Sequence, residues 1–531
     1  MSLAADRAAL RERWYAKGWF GETDLAAAFC DERTAEGTVV FAAGDSRVPL
    51  TRSQIVGDAR RIARGLIDLG IGPGDVVAIQ SPTSPRSLTT MVGIWLCGGV
   101  VLPVVTALGP RDLEFILRQS GARALCLPHR WRTTDFSAQA LGLTDLPELS
   151  TIIMLDGESP AGTVAWADLV SSAPLATLPD SDPDQVCLLI YTSGTTSEPK
   201  GVKHTHNSVL AASRRRSLGA GRVLAAFPSG HIAGLLGSVS PLLQGGITVI
   251  MDRWSAAEAA RLIEEYRLEA SSGTPFFLTT LLDEAGSAGR DISSLTRFLT
   301  GAASVPPSLM DRAQGLGIVS WRTYGSTEHP VLSSGTPDDP EAKRHGTDGR
   351  VTDGNEVRLV DDEGADVAPG AEGEIVARGP RQFTGYRDAA LDAEAFLPGG
   401  WFRTGDIGRF DADGYLIITD RKKDIIIRGG ENIASREVED LLVLHPGIAE
   451  AAVCAAPDPL LGELVCAFVV PRPGTHIDLD VVRRHFAGLG VARHKTPERV
   501  EAVIDLPRTA TGKVKKTELR ALLRTERRPV S

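Results

Sequence analysis

The chain has 531 residues, 43% hydrophobic and 23% charged, which suits a well-buried globular protein of roughly three to four structural units. Its 57 basic and 67 acidic residues leave a net charge of −10, which excludes a general nucleic-acid-binding surface but not an anionic small substrate gripped by a local basic loop. The six cysteines (Cys30, Cys97, Cys126, Cys187, Cys454, Cys466) form no CxxC pair and Met1 to Leu10 has no apolar core. Neither a disulfide framework, a zinc site nor a signal peptide is therefore expected, and the expected location is a reducing cytoplasm.

The first ~180 residues alternate helical and strand patterns, the signature of a parallel sheet covered by helices. Thr51 to Leu69 carries Ile55, Ala59, Ile62, Leu66 and Leu69 at helical spacing and stops at Gly70, a natural C-cap. Val76 to Ile79 reads as a strand, followed by Leu88 to Cys97 (helix), Val100 to Val105 (strand), Asp112 to Gln119 (helix) and Ala124 to Leu127 (strand). The uncharged run from Ser87 to Pro110 is long enough to raise a membrane span, but Gly98-Gly99 and Pro103 in its middle favour a buried helix turning into a buried strand. Residues 156–185, rich in Pro, Ser, Ala and Asp, read as a surface connection. Alternation resumes with Gly246 to Met251, Ala256 to Tyr266, Phe298 to Thr300 and Val319 to Trp321.

From about Gly354 the texture changes to short strands split by Asp/Gly turns, which predicts a β-rich subdomain at about 354–420. Asp420-Arg421-Lys422-Lys423-Asp424 is a charged break between apolar runs and a candidate hinge. Beyond it lie the strands and helices of a small α+β domain. The expected fold is α/β: a large N-terminal domain (1–420) of stacked parallel sheets plus the β-rich subdomain, with a small mobile C-terminal α+β domain (421–531).

The chemistry concentrates in Tyr191-Thr192-Ser193-Gly194-Thr195-Thr196-Ser197-Glu198-Pro199-Lys200-Gly201, after the apolar strand Val186 to Ile190. Glycine lets backbone approach a phosphate, hydroxyls and N–H groups donate to its oxygens, and Lys200 adds charge. The spacing is not that of the common Gly-x4-Gly-Lys-Ser/Thr loop. Composition alone is equally served by a polar turn.

Together with later motifs, this loop resembles that of the adenylate-forming superfamily: acyl-CoA synthetases, luciferases and peptide-synthetase adenylation domains. The resemblance runs from about residue 20 to 525, in the family's order, and is nearest to an acyl-CoA synthetase. It implies that Thr192, Ser193, Gly194, Thr195, Thr196, Ser197 and Lys200 cradle the phosphates of ATP. It implies that His231, in Phe227-Pro228-Ser229-Gly230-His231, borders the carboxylate pocket with Gly273 and Thr274. Gly301 and Ala302 line the acyl and adenine pockets by the same resemblance. Tyr324-Gly325-Ser326-Thr327-Glu328 is similar to the segment supplying an adenine-stacking tyrosine, a phosphate-contacting threonine and the glutamate that holds Mg²⁺. One carboxylate beside a triphosphate suffices for that ion. Asp406, in Trp401-Phe402-Arg403-Thr404-Gly405-Asp406, corresponds to the ribose-binding aspartate, with Arg421 as second ribose contact. Lys423 matches the hinge, Gly430 the loop that lines the pantetheine tunnel after rotation, and Lys513 the adenylation lysine.

The implied activity is a carboxylic acid:CoA ligase using ATP, Mg²⁺ and coenzyme A, in which Lys513 and Glu328-held Mg²⁺ neutralise charge during adenylation. CoA is the expected acceptor because no carrier-protein domain follows residue 531, with a separate carrier protein as the alternative acceptor. Trp14, Trp19 and Phe20 resemble the opening of ligases for alicyclic acids, so a medium or bulky hydrophobic acid is expected. Arg493 and Lys495 are candidate CoA phosphate contacts, with a solvated basic face as the other reading. The chain departs from the family pattern at Ser197, at Ala302 and Ala303, where glycine is more frequent, and at Ser435, where proline is frequent. Ser197 motivates a half-reaction enzyme as the alternative function. A luciferase-like oxygenase or an ATP-binding regulator is a third reading.

Overall fold

The computed structural model describes residues 3–192, 198–214, 218, 221–303, 305–509 and 511–525. Two large sheets organise the first 350 residues. The nine-stranded sheet runs parallel through Val319–Tyr324, Arg297–Gly301, Ala270–Gly273, Arg222–Ala225, Gly246–Met251 and Gly37–Ala43, with antiparallel strands at both edges. The seven-stranded sheet runs parallel from Val186–Thr192 through Val100–Val104, Val76–Gln80, Ala122–Leu127, Thr151–Met154 and Val164–Ala165. Lys200–Thr205 is its antiparallel edge.

Alternation in the first ~180 residues suggests one sheet, but the chain visits two. Gly37–Ala43 pairs with Gly246–Met251 in the nine-stranded sheet before Arg52–Asp68 returns it to the other. The signal was present in the apolar run Val39-Val40-Phe41-Ala42. The core lies between the sheets: Val39, Phe41 and Ile250 from one and Val77, Ile79 and Val101 from the other share a cluster with helices Arg52–Asp68, Pro85–Leu96 and Ile232–Gln244. Burial from both sides explains why these strands read as continuous apolar runs.

Local signals fix the helices. Thr51 Oγ1 accepts the Gln54 N–H at 3.2 Å while the Gln54 side chain accepts the Thr51 N–H at 2.9 Å, a capping box that starts Arg52–Asp68. Ser84 and Ser87 do the same for Pro85–Leu96, the helix that resolves the membrane question. No helix among the described residues is long and apolar enough to cross a membrane. The surface connection 156–185 holds only a two-residue strand and a short helix, Trp166–Val170. All six cysteines are unpaired, and all but Cys30 are buried.

A five-stranded antiparallel sheet follows, in which the long strand Trp401–Phe410 pairs with Gly373–Arg378 on one side and with Leu416–Arg421 on the other. The N-terminal helix Leu3–Ala16 ties it back: Asp6 accepts the Gly399 N–H at 2.8 Å, Arg7 pairs with Asp392 at 3.1 Å and Arg13 with Glu356 at 2.8 Å. Trp14 and Phe20 pack on each other at 5.0 Å and Trp19 lies under Arg381, so this aromatic block braces the N-terminus and is absent from the cavity wall. The remaining chain forms a separate five-stranded sheet with helices Ser435–Val443, Leu479–Gly488 and Lys516–Thr525 and its own apolar clusters.

Trp95 links helix Pro85–Leu96 to the strand Val186–Thr192. It is 1% exposed, stacks on Phe29 at 5.6 Å and donates its indole N–H to the Cys187 carbonyl at 2.9 Å. Trp95→Ala is expected to cost about 3–5 kcal/mol, and Trp95→Phe, which keeps a ring but loses the donor, about 1 kcal/mol. Denaturant midpoints of the two variants against wild type check the order.

Candidate functional site

Four neighbouring parallel strands of the nine-stranded sheet end at one crevice. Past Arg222–Ala225 comes His231, past Ala270–Gly273 comes Thr274, past Arg297–Gly301 comes Ala302, and Val319–Tyr324 runs into Gly325-Ser326-Thr327-Glu328. Carboxyl ends of parallel strands are where ligands bind in open α/β sheets. The hairpin end Thr192 and Lys200, paired in register, arrives from the other sheet. Asp406 and Arg421 face each other across two strands of the third sheet, and Lys513 comes from the last sheet's domain.

One cavity of about 1610 Å³ is walled by Thr192, Lys200, His231, Gly273, Thr274, Gly301, Ala302, Tyr324, Gly325, Thr327, Glu328, Asp406, Arg421, Lys423 and Lys513 together. Ser193, Gly194, Thr195, Thr196 and Ser197 lie outside the described residues, so the expectation resting on Ser197 has no structural counterpart here. Gly430 is not in the wall. It sits in an exposed turn between Ile426–Arg428 and Glu431–Ile433, where Gly429 (φ +58°) and Gly430 (φ +91°) both take the left-handed conformation of a tight hairpin.

The charged groups are paired. The Tyr324 hydroxyl donates to Asp406 Oδ2 at 2.7 Å and Arg421 Nε donates to Asp406 Oδ1 at 2.8 Å. Each carboxylate oxygen has two acceptor positions, so Asp406 keeps capacity for hydroxyl donors. Burial, then the Asp406 charge, pushes the Tyr324 phenol well above its usual range, so it stays a donor. Asp406 in turn raises Arg421.

Lys513 stands beside them. It is walled by protein but opens onto the cleft, and the adjacent Arg421 guanidinium, with burial next, lowers its ammonium to about 8. Its loop closes on itself: Thr509 N–H donates to Lys513 O at 2.8 Å and Lys513 N–H to Thr509 Oγ1 at 3.2 Å. Arg508 lies 4.8 Å over the Phe276 ring of the large domain.

Glu328 is held by groups that sequence reading did not single out. Tyr386 donates its hydroxyl to Glu328 Oε1 at 3.0 Å, and the Phe383 N–H donates to the Glu328 carbonyl at 2.8 Å. Lys200 Nζ lies 5.5 Å from the centre of the Tyr386 ring, so one tyrosine contacts both the cation and the carboxylate of the site. His204 Nε2 donates to the Thr327 carbonyl at 2.7 Å, and burial pushes its imidazole down to about 4, which keeps it neutral. Tyr386 lies 58 residues from Glu328, a distance no local pattern spans; His204 was visible as part of Lys203-His204-Thr205-His206-Asn207.

Two non-glycine residues in the wall have left-handed backbone, Ala302 (φ +64°) and Val331 (φ +52°). Each costs roughly 1–2 kcal/mol, and Val331 is a genuine outlier for a β-branched side chain. Gly325 makes the tight turn beneath it, since an added Cβ would meet the Val331 nitrogen at 2.6 Å. The glycine-to-alanine departure at 302 thus appears as backbone strain beside the cavity. From His231 the cavity continues as an apolar arm along Ile232, Leu236, Gly237 and Pro241. Burial lowers the His231 imidazole. Lys495 is held by Glu437 at 2.6 Å on the small domain.

Residues 27–387 match the family described as AMP-binding enzyme, and residues 437–513 match the AMP-binding enzyme C-terminal domain. The chain is 34% identical to the medium-chain fatty-acid–CoA ligase of Escherichia coli K12, over 97% of this chain and 92% of that one. It is 33% identical to the indoleacetate–CoA ligase of Aromatoleum aromaticum, over 89% of this chain and 93% of that one. Among solved structures, ATP-bound MatB from Rhodopseudomonas palustris superposes with a TM-score of 0.81 at 26% identity, covering 94% of this chain and 99% of that one. The chain belongs to the AMP-binding enzyme family, the adenylate-forming enzymes.

Proposed function

We propose that the chain is an AMP-forming carboxylic acid:CoA ligase acting on a medium or bulky hydrophobic acid. The observation that carries this reading is the convergence of Tyr324 and Glu328 from the end of one strand, Asp406 from another sheet and Lys513 from a loop of the small domain on one cavity that has an apolar arm. Two relatives' names agree with a hydrophobic acid, medium-chain fatty acids in one and indoleacetate in another, while a third is named for the small anion sulfoacetate.

The adenosine of ATP lies against Tyr324 and the Gly301-Ala302 backbone, its ribose hydroxyls donate to Asp406, and its phosphates run toward Thr192, Lys200 and the 193–197 loop. The acid's carboxylate sits near His231 and its tail lies in the apolar arm. The carboxylate oxygen forms a bond to the α-phosphorus and pyrophosphate leaves. Lys513 faces the charge that develops on the α-phosphate, and in a water-poor cleft such a fixed cation counts for far more than in solution. Glu328, oriented by Tyr386, is the carboxylate suited to Mg²⁺, and when bound that ion supplies further neutralisation of phosphate charge. In the second step the CoA sulfur forms a bond to the acyl carbonyl carbon, the thiol proton is lost and AMP leaves with its bonding electrons. Division of the chain at 420/421, rotation at Lys423 and entry of the Gly430 turn in place of Lys513 belong to the same proposal. With Lys513 already beside Asp406, the adenylating machinery is assembled, which counts against a reading that lacks this half-reaction.

Lys513→Ala is expected to slow acid-dependent ATP–pyrophosphate exchange about 10²–10³-fold while thioester formation from synthetic acyl-adenylate and CoA persists. Equal losses in both assays would remove the lysine from its assigned step. Because Lys513 acts as a cation and titrates at about 8 in the free enzyme, kcat/KM for ATP should fall as pH rises through that value. Arg421 is the main cause of the lowering, so Arg421→Gln should move this alkaline limb to higher pH. Tyr386→Phe, which frees Glu328 from its donor, should raise the Mg²⁺ concentration for half-maximal activity about 10–100-fold, read from a metal titration of pyrophosphate exchange.

A further inference from the structure

Ser435 departs from the family pattern at the first residue of helix Ser435–Val443, where proline is at home. The preceding Ala434 (φ −69°, ψ 117°) already has the extended backbone that a following proline requires. A proline would therefore fit, and what it would lack is what Ser435 uses. The Ser435 N–H donates to Asp420 Oδ2 at 2.5 Å and its hydroxyl donates to Asp420 Oδ1 at 3.2 Å. The same hydroxyl oxygen accepts from Lys516 Nζ at 2.9 Å, and Lys516 is paired with Glu439 at 2.7 Å. Ser435 and Asp420 are both buried.

These partners lie on opposite sides of the proposed hinge. Asp420 belongs to the third sheet, where it faces Ile407 three residues before Lys423. Ser435, Glu439 and Lys516 belong to the small domain, and Lys516 follows Lys513 by three residues in the same segment. Arg436 adds a second crossing, donating to the Ile418 carbonyl at 2.7 Å. By contrast Asp424 pairs with Arg520 wholly beyond Lys423, so that contact can turn with the small domain. Rotation at Lys423 must carry Ser435 away from Asp420.

We propose that Asp420, Ser435 and Lys516 form a clamp across the hinge that holds the small domain with Lys513 in the cleft, making them positioning residues for adenylation and not for thioester formation. This rests on the two-step reading above. The chain connects the clamp to the chemistry directly: Asp420 fixes the start of helix Ser435–Val443, and Ser435 with Glu439 fixes Lys516, which follows the Lys513 loop. Asp420 and Lys516 also line the cavity, whereas Ser435 does not, so releasing the clamp at Ser435 shifts the population toward the rotated arrangement and leaves the cavity wall unaltered.

The test uses the full-length enzyme. Ser435→Pro keeps a residue suited to the helix start but deletes both donors to Asp420, and Ser435→Ala deletes only the hydroxyl. Hydrogen bonds to a buried carboxylate are strong enough that Ser435→Pro should lower pyrophosphate exchange roughly 10-fold or more, with Ser435→Ala intermediate. Thioester formation from synthetic acyl-adenylate and CoA should stay at or above the wild-type rate. Parallel losses in the two half-reactions, or no loss of exchange, overturn the clamp. A readout independent of turnover is the distance distribution between spin labels at Leu316→Cys and Leu460→Cys, exposed positions on the large and small domains, in a Cys30→Ser background. It should be narrow with Ser435 and gain a second population with Ser435→Pro; an unchanged distribution also overturns the clamp. If no acid supports thioester formation in the wild-type enzyme, the ligase reading fails, and the label distances still decide whether the clamp exists.

Discussion

One buried negative charge holds the separate parts of this protein in a common frame. The Asp406 side chain is 5% exposed, and a carboxylate so far from water is tolerated only with partners. Its bonded partners are Tyr324, from the end of a parallel strand in the nine-stranded sheet, and Arg421, from the neighbouring strand Leu416–Arg421. Satisfying Asp406 therefore fixes where the third sheet sits against the first, and Lys513 of the small domain comes near enough to feel its charge. The groups that stabilise the charge also wall the shared cavity, so assembly of the fold and assembly of the candidate site are the same event.

Much of this was legible in the sequence because the signals are local. Thr51 with Gln54, Ser84 before Pro85 and Gly70 after Leu69 mark helix ends by short-range hydrogen bonding, and the doubly buried strands stand out as apolar runs. The site motifs were legible for a related reason: each is a few consecutive residues, within or just past one strand or in one short loop. What sequence could not supply was adjacency between sheets. Gly37–Ala43 looks like its neighbours in the chain yet pairs 200 residues away with Gly246–Met251. Tyr386 carries no local mark of its contact with Glu328, and the partnership of Ser435 with Asp420 depends on how two sheets meet at the hinge.

The departures at Ala302 and Ser435 show that a substitution within a motif need not act where the motif acts. Ala302, in the cavity wall, keeps the left-handed backbone that glycine would adopt freely, at roughly 1–2 kcal/mol. With Val331 strained on the neighbouring loop, the cavity is flanked by two segments held in conformations that their own residues disfavour. Such backbone persists only where the surroundings over-determine it. Here the surroundings are the packed strand ends Arg297–Gly301 and Val319–Tyr324, joined in parallel register.

Phe276 gives these relations a final turn. Its ring lines the cavity next to Thr274, and the same ring is the seat of the Lys513 loop, under Arg508 and so near Gly512 that an added Cβ would meet it at 2.7 Å. On the proposed reading, substrate range and phosphate chemistry share a side chain. A lineage that reshaped this end of the pocket for a different acid would have to refit the lysine's landing place in the same step, so diversification is channelled toward the far end of the arm, where a wall residue can change without disturbing the first half-reaction.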